Sequence, residues 1–177
     1  EVAVICVGNL AVGGTGKTPH TEYLVSLLQS HGISPIAVLS RGYKRKSTGF
    51  VLDDGSHNVS KLGDEAAMIA AKYPKVQVAV CEKRLVGVEK LMAQEQPPQV
   101  ILLDDSFQHR YIKPPINILL TSYSKPFYED LVMPYGDLRE GRSAKYRANV
   151  VVVTGTPKTA NPIEKHNVPH QRIRKEY

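Results

Sequence analysis

The stretch LAVGGTGKTPHTEYLV, from Leu10 to Val25, follows directly on the apolar run Ala3 to Val7 and constrains the fold more than any other part of the chain. Gly13, Gly14 and Gly16 suit neither a strand nor a helix interior, because glycine loses too much backbone freedom in both. From Thr18 to Ser30, however, the pattern is helical, with Pro19 in the opening turn and Gly32 just past the end. A strand that turns through glycines into a helix converges backbone N–H groups at the positive end of that helix, which makes a cradle for phosphate. Lys17 supplies a charge for the outer phosphates and Thr18 a hydroxyl for a metal ion, so Ala11, Val12, Gly13, Gly14, Thr15, Gly16, Lys17 and Thr18 form the candidate nucleotide-binding loop. The strict pattern wants glycine where Ala11 stands. The flanking strand and helix carry the assignment against the plainer reading of a glycine turn with a capping threonine.

Apolar, β-branched runs recur at Val2 to Val7, Ile36 to Leu39, Val76 to Val80, Val100 to Leu103, Ile116 to Leu120 and Val150 to Val153. Such nearly continuous apolar strands belong to a parallel sheet covered on both faces. Helical patterns at Asp64 to Lys72 and Lys83 to Gln96 lie between them. Strands separated by helices imply right-handed crossovers, so the expected fold is α/β: a P-loop NTPase-like, doubly wound, mostly parallel sheet with helices on both faces. Residues 1–157 read as one core domain, and residues 158–177, polar and weakly patterned, as a linker or the start of a truncated C-terminal domain.

A chain of 177 residues with 42% hydrophobic and 23% charged residues is ordinary globular composition, which excludes disorder, collagen and disulfide scaffolds. The two cysteines, Cys6 and Cys81, sit in or beside apolar strands and read as buried thiols of a reducing, cytoplasmic compartment. The net charge of +6 calls for an anionic partner: a nucleotide, an acidic membrane surface or nucleic acid. Nucleic acid is disfavoured because the basic residues are scattered and no aromatic–basic readout module is visible. No run reaches the length of a spanning helix, and the start EVAVICVG lacks signal-peptide flanks. It opens without Met and almost inside a strand, so the chain reads as a fragment.

Further candidates lie at strand ends. VILLDD closes on Asp104 and Asp105, either carboxylates delivered to a metal beside the nucleotide or solvated turn residues, and the upstream cradle favours the metal. Gly63-Asp64-Glu65 opens a helix, where acids complement the dipole or, equally, place a carboxylate to deprotonate an attacking hydroxyl. His109 follows the acids in SFQHR, and RGYKRKS sets Arg41 beside a strand end with a basic run after it, where α/β sheets bind ligands. The guanine-reading motifs of GTPases are absent from DDSFQH and VVVTGTP, which points to ATP.

Taken together, VGNLAVGGTGKTP, LSRGY, GDE, LLDDSFQHR, LREGRS and NVVVVT occur in an order that resembles the tetraacyldisaccharide 4'-kinases of lipid A biosynthesis. The resemblance spans nearly all of residues 1–157. It implies transfer of the ATP γ-phosphoryl to the 4'-hydroxyl of an acylated glucosamine disaccharide 1-phosphate, with Mg2+, by a monomer at the inner face of the cytoplasmic membrane. It also implies roles: Lys17 and Thr18 on phosphate and metal, Asp104 and Asp105 on the metal, Asp64 on the hydroxyl with Glu65 in support, and Arg84, Gln108, His109, Arg139 and Arg41 around phosphate and substrate.

This chain departs from the family pattern at Ala66, Ser106, Gly141 and Gly155, where Pro, Gly, Pro and Lys are common. The family's membrane-binding N-terminal segment, and its C-terminal domain with a catalytic His, are not matched, so reduced activity is expected of these residues alone. Tyr123, Phe127, Tyr128, Leu131 and Val132 are candidates for an apolar surface that meets acyl chains. The alternative reading is a P-loop ATPase switch or metallochaperone-type module with no lipid acceptor.

Overall fold

The computed structural model describes residues 2–109 and 111–156, and the segment 158–177 assigned above to a linker or further domain lies outside them. Seven strands form one sheet: β1 (Ala3–Asn9), β2 (Ile36–Ser40), β3 (Val51–Leu52), β4 (Val76–Val80), β5 (Val100–Asp104), β6 (Ile116–Ser122) and β7 (Val150–Thr154). Their order is β3-β4-β2-β5-β1-β6-β7, parallel throughout except for the short edge strand β3, which runs antiparallel to β4. The helices are α1 (Lys17–Ser30), α2 (Val59–Leu62), α3 (Asp64–Lys72) and α4 (Arg84–Met92), with a 3-10 turn at Arg142–Arg147.

The mostly parallel, doubly wound sheet is the one expected, and period-2 alternation distributes its side chains to two faces. Ile36 and Val38 of β2, with Val78, Val80, Val100 and Leu102, pack against α1 through Val25 and α3 through Ala66, Ile69 and Ala70. Their neighbours Ala37 and Leu39, with Ala79, Ile101 and Leu103, face the other way onto Leu91 of α4 and onto Phe107, Phe127 and Leu138. Each fully buried aliphatic side chain contributes about 1.5–3 kcal/mol, so the two layers hold the sheet from both sides.

Three elements differ from the sequence reading. Helix α4 stops at Met92, with Ala93 as its C-cap, rather than at Gln96, which directly precedes Pro97 and is biased away from helical backbone. Strand β3 and helix α2 are too short to show a period. Both cysteines are buried and free, and burial pushes the Cys6 thiol up to about 12.

This topology collects the loops. Strand β1 lies between β5 and β6, and the chain leaves it over α1 toward β2, so the crevice at the carboxyl ends of β1 and β5 is a topological switch point. The connection from β6 to β7 returns across that crevice: Val12 N donates to Asp137 O at 2.8 Å and Arg139 N to Leu10 O at 2.7 Å. Residues 137–139 are thereby pinned along the start of the glycine loop.

Close approach of β1 to the turn after β5 depends on Gly8. A Cβ there would lie 2.6 Å from Phe107 Cβ and 3.0 Å from Phe107 N, whereas one on Gly14 meets nothing within 4 Å. Gly8→Ala is expected to destabilise the fold by about 1–3 kcal/mol through overpacking, and Gly14→Ala to leave stability within about 0.5 kcal/mol, both read from urea unfolding midpoints.

Candidate active site

The glycine loop is shaped by two left-handed residues, Gly13 at φ 108° and Gly16 at φ 79°, and Gly16 is the N-cap of α1. No side chain caps that helix, so its first N–H groups remain available to an anion. Lys17 folds back over the loop, its Nζ 3.4 Å from Gly13 O and 3.8 Å from Asp105 Oδ1. Thr18 follows on the first turn of α1, and Ala11 enters the loop through an isolated β-bridge with Leu138.

Asp104 ends β5 at 2% exposure and accepts a hydrogen bond from Thr21 Oγ1 at 3.1 Å. Burial, reinforced by the neighbouring Glu65 carboxylate, raises its pKa to about 6. Asp105 is half-buried, with its backbone in the left-handed region at φ 46°, and its Oδ1 accepts from Arg139 Nη2 at 3.0 Å. Asp105 thus stands between two cations, Lys17 and Arg139. Among the described residues no group of three or more His, Cys, Asp and Glu side chains could hold a metal. Carboxylate and hydroxyl oxygens of the kind that Asp104, Asp105 and Thr18 carry are the hard donors that suit a divalent cation such as Mg2+.

Asp64 and Glu65 occupy the exposed first turn of α3. Gly63, which precedes them, has φ 84° and ψ 161°, backbone open only to glycine, and a Cβ there would lie 2.6 Å from Tyr43 O. The GDE and RGY motifs therefore pack backbone to backbone, which brings exposed Arg41 and Asp64 to neighbouring loops. His109 closes the turn after β5, its N donating to Ser106 O, and burial together with the charges of Arg84 and Arg41 lowers its pKa. Gln108 Nε2 donates to Asn9 O at 2.7 Å.

Arg84 lies behind the carboxylates rather than in the open crevice. It is 2% exposed, and its guanidinium donates to Ser106 Oγ at 2.8 Å, to Asp104 O at 3.3 Å and to Cys81 O. Burial lowers its pKa to about 10. Such a group braces the Asp104–Ser106 turn. Of the apolar candidates, Phe127 is in the core and Tyr128 packs against it edge-on with ring centroids 5.4 Å apart, while Leu131 and Val132 remain exposed. Asn9 and Thr21 were missed by the sequence reading. The available signals were a polar residue closing the apolar run of β1, and a threonine on the sheet-facing side of α1.

The chain matches the model of the family LpxK, described as tetraacyldisaccharide-1-P 4'-kinase, over residues 1–176. The chain belongs to this kinase family. It is 50% identical over 174 residues to a tetraacyldisaccharide 4'-kinase of Bacteroides fragilis strain YCH46, covering 98% of this chain and 46% of that protein. It is 54% identical over 158 residues to that of Flavobacterium johnsoniae, covering 89% and 46%. A crystal structure of LpxK from Aquifex aeolicus in complex with ATP superposes with a TM-score of 0.77 at 39% identity, covering 87% of this chain and 48% of that one. The chain spans about half the length of the relatives it matches.

Within this kinase family the local departures have physical readings. Ser106 fills a buried position with a hydroxyl that accepts from Arg84 and donates to Asp104 O at 3.0 Å. Gly141 has φ −59°, inside the range of proline, so its backbone matches the family pattern without the ring. Ala66 packs in the α1 face of the core. Gly155 has φ 69°, a left-handed exit from β7 that suits glycine.

The raised pKa of Asp104 means that the fold disfavours its charged form. Between its ordinary value of 3.8 and about 6 the native state holds a proton that the unfolded chain releases, so stability from this residue is greatest at low pH and is lost as pH rises through about 6. Asp104→Asn is expected to stabilise the metal-free protein at pH 8 by about 2–3 kcal/mol, at about 1.4 kcal/mol per pKa unit. The gain should shrink toward pH 4 in urea titrations run in EDTA.

Proposed function

We propose that this chain is the nucleotide-binding core of an enzyme that transfers the γ-phosphoryl group of ATP to the 4'-hydroxyl of a tetraacyl glucosamine disaccharide 1-phosphate. The observation that carries the reading is one crevice in which a phosphate cradle, a lysine and a pair of strand-end carboxylates meet, in a chain of the tetraacyldisaccharide-1-phosphate 4'-kinase family. The relative from Aquifex aeolicus was crystallised with ATP, which supports ATP as the donor here.

Phosphoryl transfer needs positioning and charge neutralisation more than covalent help. The N–H groups of Gly13 to Thr18 hold the outer phosphates, and Lys17 moves from Asp105 onto them. Thr18, Asp104 and Asp105 would hold Mg2+, which when bound supplies positive charge to the bridging phosphate oxygens. Asp64, exposed on the first turn of α3, accepts the proton of the 4'-hydroxyl as its oxygen bonds to the γ-phosphorus and the bond to ADP breaks. Glu65 supports that carboxylate. Arg41, Gln108, His109 and Arg139 line the phosphate and sugar side, and Arg84 acts by bracing the Asp104 turn.

In this reading residues 1–157 are the core and residues 158–177 lead toward the remaining half of the family's length, which is required for full turnover. The whole enzyme is a monomer at the inner face of the cytoplasmic membrane. Among the described residues no helix is long and apolar enough to cross a membrane. Leu131, Val132, Met133 and Tyr135, exposed on the loop that lies against the glycine turn, are its candidate contacts for acyl chains.

The test is phosphoryl transfer from Mg-ATP to the tetraacyl disaccharide 1-phosphate by the complete polypeptide, followed by mass spectrometry. Lys17→Ala should lower kcat/KM by about 10²-fold or more. Asp64→Ala should lower kcat by about 10²–10⁴-fold while Mg-ATP binding persists. An ATPase switch would instead form no bisphosphorylated lipid, and its hydrolysis would survive loss of Asp64.

A further inference from the structure

Asn9 is the last residue of β1 and is fully buried, yet neither the glycine motif nor the carboxylate pair includes it. Its amide is used on both sides. Nδ2 donates to Thr15 Oγ1 at 2.7 Å inside the glycine loop and lies 3.5 Å from Gly13 O. Oδ1 accepts from Arg139 Nη2, and that same nitrogen reaches Asp105 Oδ1 at 3.0 Å and Asn9 O at 3.4 Å. Gln108 Nε2 completes the cluster on Asn9 O. A guanidinium only donates, so the amide must present its oxygen to Arg139, and its nitrogen is thereby directed at Thr15.

We infer that Asn9 is a positioning residue that couples the phosphate cradle to Arg139, so that one buried amide sets the loop and the cation facing it in a single arrangement. This rests on the kinase reading above and extends it to a residue that touches neither phosphate nor metal. The position requires a donor on one face and an acceptor on the other. Alanine leaves the Thr15 hydroxyl and the Arg139 guanidinium without that partner, and a buried polar group so stranded is costly. Aspartate keeps an acceptor for Arg139 but adds a carboxylate behind the phosphates, beside Asp105.

The experiment is a double-mutant cycle in the complete polypeptide, with Mg-ATP affinity read by calorimetry and folding by thermal denaturation. Asn9→Ala and Arg139→Ala are each expected to weaken Mg-ATP binding about tenfold, and the double variant to be little worse than either, because one network is lost in all three. Thr15→Val, which removes only the hydroxyl from the loop end of the link, should reproduce the loss, and Thr15→Ser should restore affinity. If the Asn9 and Arg139 effects multiply, or if Asn9→Ala lowers the melting temperature with Mg-ATP affinity unchanged, the residue is structural and the inference is overturned. If Thr15→Val binds as tightly as the wild type, the link through the hydroxyl is likewise overturned. Failure of the wild-type protein to bind Mg-ATP would overturn the proposed function itself, a result separable from the other two.

Discussion

A strand can be turned into a phosphate-binding helix only if the backbone passes through conformations that side chains resist. Gly13 at φ 108° and Gly16 at φ 79° meet that requirement, and the rest of the site is built to hold the turn they allow. Behind it, Asn9 ties Thr15 to the end of β1. Across it, residues 137–139 pair with Leu10 and Val12. Beside it, Asp105 draws Lys17 and Arg139 toward the same point. The loop would lack a unique shape without these supports, since glycine populates many alternatives at little cost.

The carboxylate side of the crevice is held differently, by burial. Asp104 and Arg84 are each 2% exposed, and burial disfavours the charged form of both. Arg84 spends its guanidinium on Ser106 and on the carbonyls of Cys81 and Asp104, and Thr21 donates to the Asp104 carboxylate. Charges placed in this way cost stability and are retained where position matters more than net energy. A carboxylate that is poorly solvated in the protein is also one that gains most from a bound cation.

The Asp64 side of the crevice is more open. Asp64, Glu65 and Arg41 are exposed at the ends of α3 and β2, where the glycines of RGY and GDE fix the backbones against each other without enclosing the side chains. The glycine-loop half of the crevice is thus internally bonded, while the half around Asp64 and Arg41 is shaped mainly by loop backbone.

By itself the sequence determined six of the seven strands, the glycine turn after β1 and the strand-end acids. Local signals suffice for these: β-branched runs set strands, glycines followed by Lys-Thr set the turn, and Asp104-Asp105 close a strand. Only the tertiary structure decided how the groups share contacts. Arg84, chosen as a site residue, is buried behind the turn, Phe127 is core, and Asn9, which looks like an ordinary strand end, is central. The physical reason is separation along the chain. The partners Asn9 and Arg139, or Thr21 and Asp104, have no common period or motif in sequence, and they meet because strand order and crossover path bring distant loops to one end of the sheet.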